Sequence, residues 1–212
     1  MTNPPRLHPD TIAAHLETEC LGRQLIVFQE TGSTNDRVRQ AAEGGAGEGL
    51  TIFAESQTAG RGQHGRQWLS PPGVGLWFSV LLRSTLPRAD YPKLVQAAAL
   101  ATAEALDACS MHPPPLIKWP NDLYVGAAKL AGFLLEASSD TTWQVLGFGL
   151  NVHAPPPGFP EGQATCVDNH AREPPAVRAK LAAAILNRFE HRYRRWDPEE
   201  LEASLRARQW RG

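Results

Sequence analysis

KWPNDLYVGAAKLAGFLLE, residues 118–136, sets two lysines, an asparagine and an aspartate among apolar, strand-forming neighbours. Pro120 fixes one backbone angle, while Asn121 and Asp122 tolerate unusual ones, so the three read as a turn. That turn separates the apolar runs Leu116–Trp119 and Leu123–Val125, and Lys129 opens a third run, Leu130 to Leu135. Strands are therefore expected at 116–119, 122–125 and 129–137, and a buried one at 143–152. Four strands in succession, with no helix between them, argue against the alternating pattern of a parallel sheet. The expected fold class is α+β, with helices packed on a mixed, largely antiparallel sheet. Burying a charge without a partner costs several kcal/mol, so Lys118, Asp122 and Lys129 must pair, be solvated or serve a ligand. Gly132, inside the third run, marks close approach of another backbone or of a ligand.

Outward from this segment, the chain alternates helices and strands. A helix is expected over His8–Glu19 and a strand over Leu25–Gln29. Ser33 or Thr34 is placed to cap a helix over Asn35–Glu43. Strands follow at 50–56 and Gly75–Leu82, and then an alanine-rich helix over 91–109. After the strand at 143–152 comes a proline-rich loop, APPPGFP at 154–160, with Pro175 in the first turn of a helix running to Arg195. Val177, Leu181, Ile185, Phe189, Tyr193 and Trp196 make an apolar stripe at the spacing of a helix packed on a core. A short helix over Pro198–Arg208 comes last.

At 212 residues the chain has the length of a single domain, and its 42% hydrophobic residues suffice for a core. The formal charge of −1 removes any bulk electrostatic case for nucleic acid or an acidic membrane. Arginines cluster near the C-terminus, but interleaved acids make that run read as a solvated helix face. Cys20, Cys109 and Cys166 form no CxxC pair, which favours a reducing cytoplasm. The histidines show no zinc spacing, the N-terminus lacks the blocks of a signal peptide, and no run of about 20 apolar residues would span a membrane.

The second informative stretch is QTAGRGQHGRQW at 57–68. Gly60, Gly62 and Gly65 match GxGxxG, but Pro71 and Pro72 forbid the helix that a dinucleotide fold starts there. A phosphate-binding GxxxxGK[ST] loop is absent as well. What remains is a flexible loop presenting Arg61, His64 and Arg66 between glycines. Glycine backbones approach anions, and guanidinium groups offer forked donors to phosphate. Trp68 adds a face on which a purine can stack.

Taken together, GSTND at 32–36, ESQTAGRGQHGRQW at 55–68, KWPNDLYVGAAKLAGFLLE at 118–136 and GFGLNV at 147–152 resemble the signature of biotin protein ligases. The resemblance covers about residues 25–195. It implies the sheet of that family, akin to class II aminoacyl-tRNA synthetases, and a two-step reaction. Biotin and MgATP would give biotinyl-5′-AMP, and the biotinyl group would then pass to one lysine of a biotin carboxyl carrier protein. By the same likeness Ser33, Thr34, Gln57, Gly60, Arg61, Lys129, Gly132 and Leu134 bind biotin. Arg61, Arg66, Trp68, Asn121 and Asn151 serve ATP and the adenylate, and Trp77 walls the valeryl chain. Lys129, Arg61, Arg66 and Asp122 form the catalytic set. Asp122 holds magnesium or orients the carrier lysine, with both roles open, and Lys118 contacts phosphate or makes a salt bridge in its turn. Lipoate or octanoate ligases share the fold and stand as the alternative, beside a non-catalytic biotin-binding module. A homodimer is left open.

Three departures qualify the likeness. Gln63 stands where many relatives carry an arginine that helps retain the adenylate. Only 24 residues precede the strand at Leu25, too few for the repressors' DNA-binding domain, and Gly212 falls about where a small C-terminal barrel would begin. The expectation is thus one catalytic domain over 1–212 with neither appendage. The loop at 58–67 is expected to be mobile without ligand, because ordering costs roughly 1–2 kcal/mol per residue until contacts offset it.

Overall fold

A computed structural model describes residues 5–140, 142–155, 158, 162–172 and 178–211. Its centre is a seven-stranded sheet made of β1 (Leu25–Thr31), β2 (Thr51–Gln57), β3 (Gly75–Leu82), β4 (Leu116–Lys118), β5 (Asp122–Val125), β6 (Ala128–Ala137) and β7 (Gln144–Asn151). Their spatial order is β1-β2-β3-β7-β6-β5-β4. Only β1 and β2 run parallel, joined by α2 (Thr34–Glu43), and every other pair is antiparallel. The expected mixed, largely antiparallel sheet is what forms, because hairpin-length connections after residue 116 allow nothing else.

The two faces of the sheet differ. Leu76, Phe78, Val80, Phe148 and Leu150 point to one side, where α3 (Tyr91–Leu106) and α4 (Arg178–Arg194) cover them. Phe78 stacks on both Phe53 and Phe148, with centroids 4.7 and 4.4 Å apart, and Phe189 of α4 meets Phe148 edge-on. On the other side α2 packs Val38 and Ala42 against Ile52, Leu81 and Val145. Since α2 covers only part of that face, the stretch over β6, β5 and β4 stays open.

Most element limits agree with the periodicity to within a few residues, but the first helix does not. It spans only α1, Pro9–Ala13, instead of His8–Glu19. From Glu17 on, several backbone N–H groups are taken by α4 side chains. Glu17 N–H donates to Asn187 Oδ1 (2.9 Å), and those of Glu19, Cys20 and Leu21 donate to the Glu190 carboxylate at 2.6–3.0 Å. A helix would need the same donors for itself. Leu181, Ile185 and Phe189 of the predicted stripe are buried, Tyr193 and Trp196 are partly so, and α4 ends before Trp196. Pro175, Val177 and most of the loop at 154–160 lie outside the described residues. The chain closes with α5 (Pro198–Ala207), capped by Asp197, whose carboxylate accepts from the N–H groups of Glu199 and Glu200.

Candidate active site

Alternation along the strands decides which side chains reach the open face. Ile117, Leu123 and Val125 are buried in the core, so Lys118, Asp122 and Tyr124 project the other way. A register shift between Leu123 and Tyr124 lets Lys129, Gly132, Leu134 and Glu136 of β6 share that side. Gly147 and Gly149 of β7 lie next to them. Together with the loop at 57–70, these residues enclose a cavity of about 480 Å³.

One end of the cavity is cationic. Lys129 Nζ lies 2.8 Å from Asp122 Oδ1, an ion pair mostly shielded from solvent, and 5.3 Å from the centre of the Trp68 ring. Trp68 lies against the backbone at Gly132 and Gly149, where a Cβ would come within 3.0 and 2.5 Å of its ring. Its indole N–H is buried with no acceptor among the described residues, so a bound acceptor would satisfy it. The loop carrying Trp68 is closed by hairpin-like bonds, from Gly62 N–H to the Arg66 carbonyl (2.7 Å) and from Trp68 N–H to the Gly60 carbonyl (2.9 Å). His64 at its tip adopts φ 58°, the left-handed region.

A continuous polar chain runs from this loop to the start of α2. Gln57 Nε2 donates to Ser70 Oγ (2.8 Å), and Gln57 Oε1 accepts from the Thr34 N–H at the same distance. The Thr34 and Ser79 hydroxyls are 2.7 Å apart, and Ser79 donates to Asn35 Oδ1 (2.6 Å). Asn35 Nδ2 in turn donates to Glu136 Oε2 (2.7 Å). Glu136 Oε1 lies 3.3 Å from Arg61, whose guanidinium also grips Asp36 with two bonds of 2.6 and 2.9 Å. That fork holds the Asp36 carboxyl below its usual range, and the same bonds push Arg61 further up. Ser33 occupies the N-cap of α2 but makes no capping bond with its hydroxyl, so the group is left to the cavity.

The biotin/lipoate A/B protein ligase family model matches residues 27–152, well over half of the chain. The chain belongs to this family. It is 36% identical over 197 residues to the bifunctional ligase/repressor BirA of Bacillus subtilis, covering 90% of this chain and 60% of that protein. It therefore spans less than two thirds of the length of that relative. It is 35% identical over 220 residues to the biotin–[acetyl-CoA-carboxylase] ligase of Mycobacterium tuberculosis, covering 98% of this chain and 81% of the other. Among solved structures, the biotin protein ligase from Aquifex aeolicus in complex with biotin and ATP superposes with a TM-score of 0.70 at 28% identity. That match covers 88% of this chain and 78% of the other. The Leishmania major enzyme with biotinyl-5-AMP shares the fold, with a TM-score of 0.73 at 24% identity over 89% of this chain and 82% of the other.

Of the residues that the resemblance singled out, Ser33, Thr34, Gln57, Arg61, Arg66, Trp68, Asn121, Asp122, Lys129, Gly132 and Leu134 all line the ligase-family cavity. Gly60 and Asn151 stand behind it. A Cβ on Gly60 would strike the Trp68 carbonyl at 2.4 Å, and the Asn151 amide donates to the Thr165 carbonyl (2.9 Å). Asn121 also spends its amide on the fold, donating to the Phe133 carbonyl (2.9 Å). Trp77 is buried behind Trp68, edge-on at 6.2 Å, and its N–H donates to the Pro71 carbonyl, so it walls nothing. Among the described residues Lys118 makes no salt bridge. Asp122, opposite it in the ladder, is held by Lys129, and the Lys118 ammonium lies over Tyr124 and Trp210 instead.

Reading the sequence alone overlooked Asn35, Asp36, Glu136 and Trp210. The first two were visible inside GSTND, where their spacing from Ser33 puts them in the first turn of α2. Nothing local marks Glu136 or Trp210.

Proposed function

We propose that this chain catalyses ATP-dependent biotinylation of a lysine on a biotin carboxyl carrier protein, through biotinyl-5′-AMP. The observation that carries the reading is one cavity with two unlike ends. A neutral hydrogen-bonding cluster (Ser33, Thr34, Gln57) suits the ureido ring of biotin, and a cationic end (Lys129, Arg66) suits a carboxylate and a triphosphate. Complexes of relatives with biotin and ATP support the same pairing.

In the first step a biotin carboxylate oxygen attacks the α-phosphorus, and the bond to the β-phosphate oxygen breaks to release pyrophosphate. Negative charge concentrates on the phosphoryl oxygens as this happens. Lys129, fixed by Asp122 and shielded by Trp68, stabilises it more than a solvated ammonium would. Arg66, exposed and free of acids among the described residues, is placed to meet the phosphates. Magnesium would come with ATP and offset its phosphate charge, and Asp122, a carboxylate lining the cavity, would be the residue to hold it. In the second step the carrier lysine attacks the acyl carbon and AMP departs. Asp122 is then the group positioned to accept or orient the amine's proton.

No described helix is long and apolar enough to cross a membrane. Cys20, Cys109 and Cys166 form no disulfide, which supports a reducing, cytoplasmic setting.

Biotin-dependent exchange between ATP and labelled pyrophosphate tests the first step, and transfer to a carrier domain tests the second, each with lipoate as a parallel substrate. Exchange is expected with biotin alone, and Lys129→Ala should lower it by about 100-fold or more. A folded protein that shows no exchange, or that prefers lipoate, overturns the reading.

A further inference from the structure

Four cations line the cavity, and two of them have carboxylate partners. Lys129 is paired with Asp122, and Arg61 with Asp36 and Glu136. Lys118 is different. Among the described residues it has no carboxylate partner, and its ammonium sits 4.5 Å from the centre of the Tyr124 ring and 4.4 Å from that of Trp210. The two rings lie 5.4 Å apart, so the ammonium is shared between their faces. Aromatic faces attract and orient a cation without cancelling its charge, whereas a carboxylate there would repel an anionic ligand.

Trp210 reaches this position by a specific attachment. Beyond α5 the chain pairs with the edge of β4: Ile117 N–H donates to the Arg208 carbonyl (2.7 Å), and Trp210 N–H donates to the Ile117 carbonyl (2.9 Å). The indole N–H donates to the Gly126 carbonyl (2.7 Å), which fixes the ring's tilt against the β5–β6 turn. Tyr124 stands diagonal to Lys118 across the β4–β5 ladder, the distance at which long side chains meet. All three side chains line the same cavity as Lys129 and Arg66.

We propose that Lys118 contacts the departing pyrophosphate of ATP, and that Trp210 and Tyr124 are positioning residues that hold its ammonium toward the cavity. The proposal rests on the ligase reading for its substrate but not for its test. Titrating the full chain with inorganic pyrophosphate in a calorimeter needs neither biotin nor turnover. Lys118→Met should weaken that binding about tenfold or more, the size of one charge-assisted bond. Where exchange is measurable, the same variant should raise the ATP KM about as much and leave the biotin KM within about twofold. Trp210→Ala should raise the ATP KM several-fold, and Trp210→Phe, which keeps a ring face, should restore most of the loss. Should Trp210→Ala fail to fold, Tyr124→Leu carries the same expectation. Unchanged pyrophosphate affinity in Lys118→Met overturns the proposal, as does equal loss of biotin and ATP affinity in the ring variants. Absence of exchange in the unaltered protein speaks against the ligase reading alone.

Discussion

Trp68 owes its place to two missing side chains. Its ring rests where β-carbons of residues 132 and 149 would otherwise stand, and from there it shields the Lys129–Asp122 pair. A methyl group at 149 would lie 2.5 Å from the indole, so the ring must lift or the strand must shift. Overpacking of this kind costs about 1–3 kcal/mol. Gly149→Ala should therefore lower the melting temperature and weaken ATP binding in a calorimetric titration. If both stay at parental values, the ring is not seated on this glycine. Lys129 and Trp68 were legible in the sequence because each sits in an unusual local setting: a lysine opening an apolar run, and an indole ending a glycine-arginine loop. Asp36 and Glu136 were not. A lone acid on a helix or strand looks solvated, and only the fold brings residues 100 positions apart to the same guanidinium.

Among elements, α4 and β2 are tied by a buried ion pair. Arg178 and Glu55 are both buried and 2.8 Å apart, and Arg178 also donates to the Gly75 carbonyl at 2.9 Å. Glu55 accepts from the Leu7 N–H as well, so the pair joins the N-terminal segment, two strands and a helix. Removing one member strands the other charge in the core, which costs about 3–5 kcal/mol. Arg178→Met should show that loss in urea denaturation, and Glu55→Gln combined with it should recover part, because the orphaned charge is gone. Equal stability of the single and double variants would mean that water reaches Glu55. Apolar periodicity located the strands and helices because it records burial, and their order made the antiparallel hairpins legible. The same reading extended the first helix too far, since no local pattern reveals that Glu190 and Asn187, some 170 residues on, claim its backbone donors.

For the whole molecule, the sheet divides the labour between its faces: one is sealed by α3 and α4, and the other is roofed partly by α2 and partly by the loop at 57–70. Arg61 ties the roof to α2 through its fork on Asp36. Both side chains are about one third exposed, so the pair contributes at most about 1 kcal/mol, or roughly a fivefold change in the population of an open loop. On the proposed function, that is a useful strength for a loop that would open for biotin and ATP and then close over a reactive mixed anhydride. Tryptic cleavage after the exposed Arg66 reads the opening directly. Asp36→Asn should speed it two- to fivefold by that same estimate, and saturating biotin with ATP should slow it in the parent protein. The pH dependence follows from the direction of the Asp36 shift. Its carboxyl is held below the ordinary value, so the anchoring is complete above about pH 4 and is lost as acid titrates the folded-state group. Cleavage rates corrected for the protease's own profile should thus show no pH dependence arising from this pair between about pH 6 and 9. An Asp36→Asn protein cut no faster than the parent would show that the loop is held by its internal hairpin bonds instead, and that Arg61 is free to serve the phosphates from the outset.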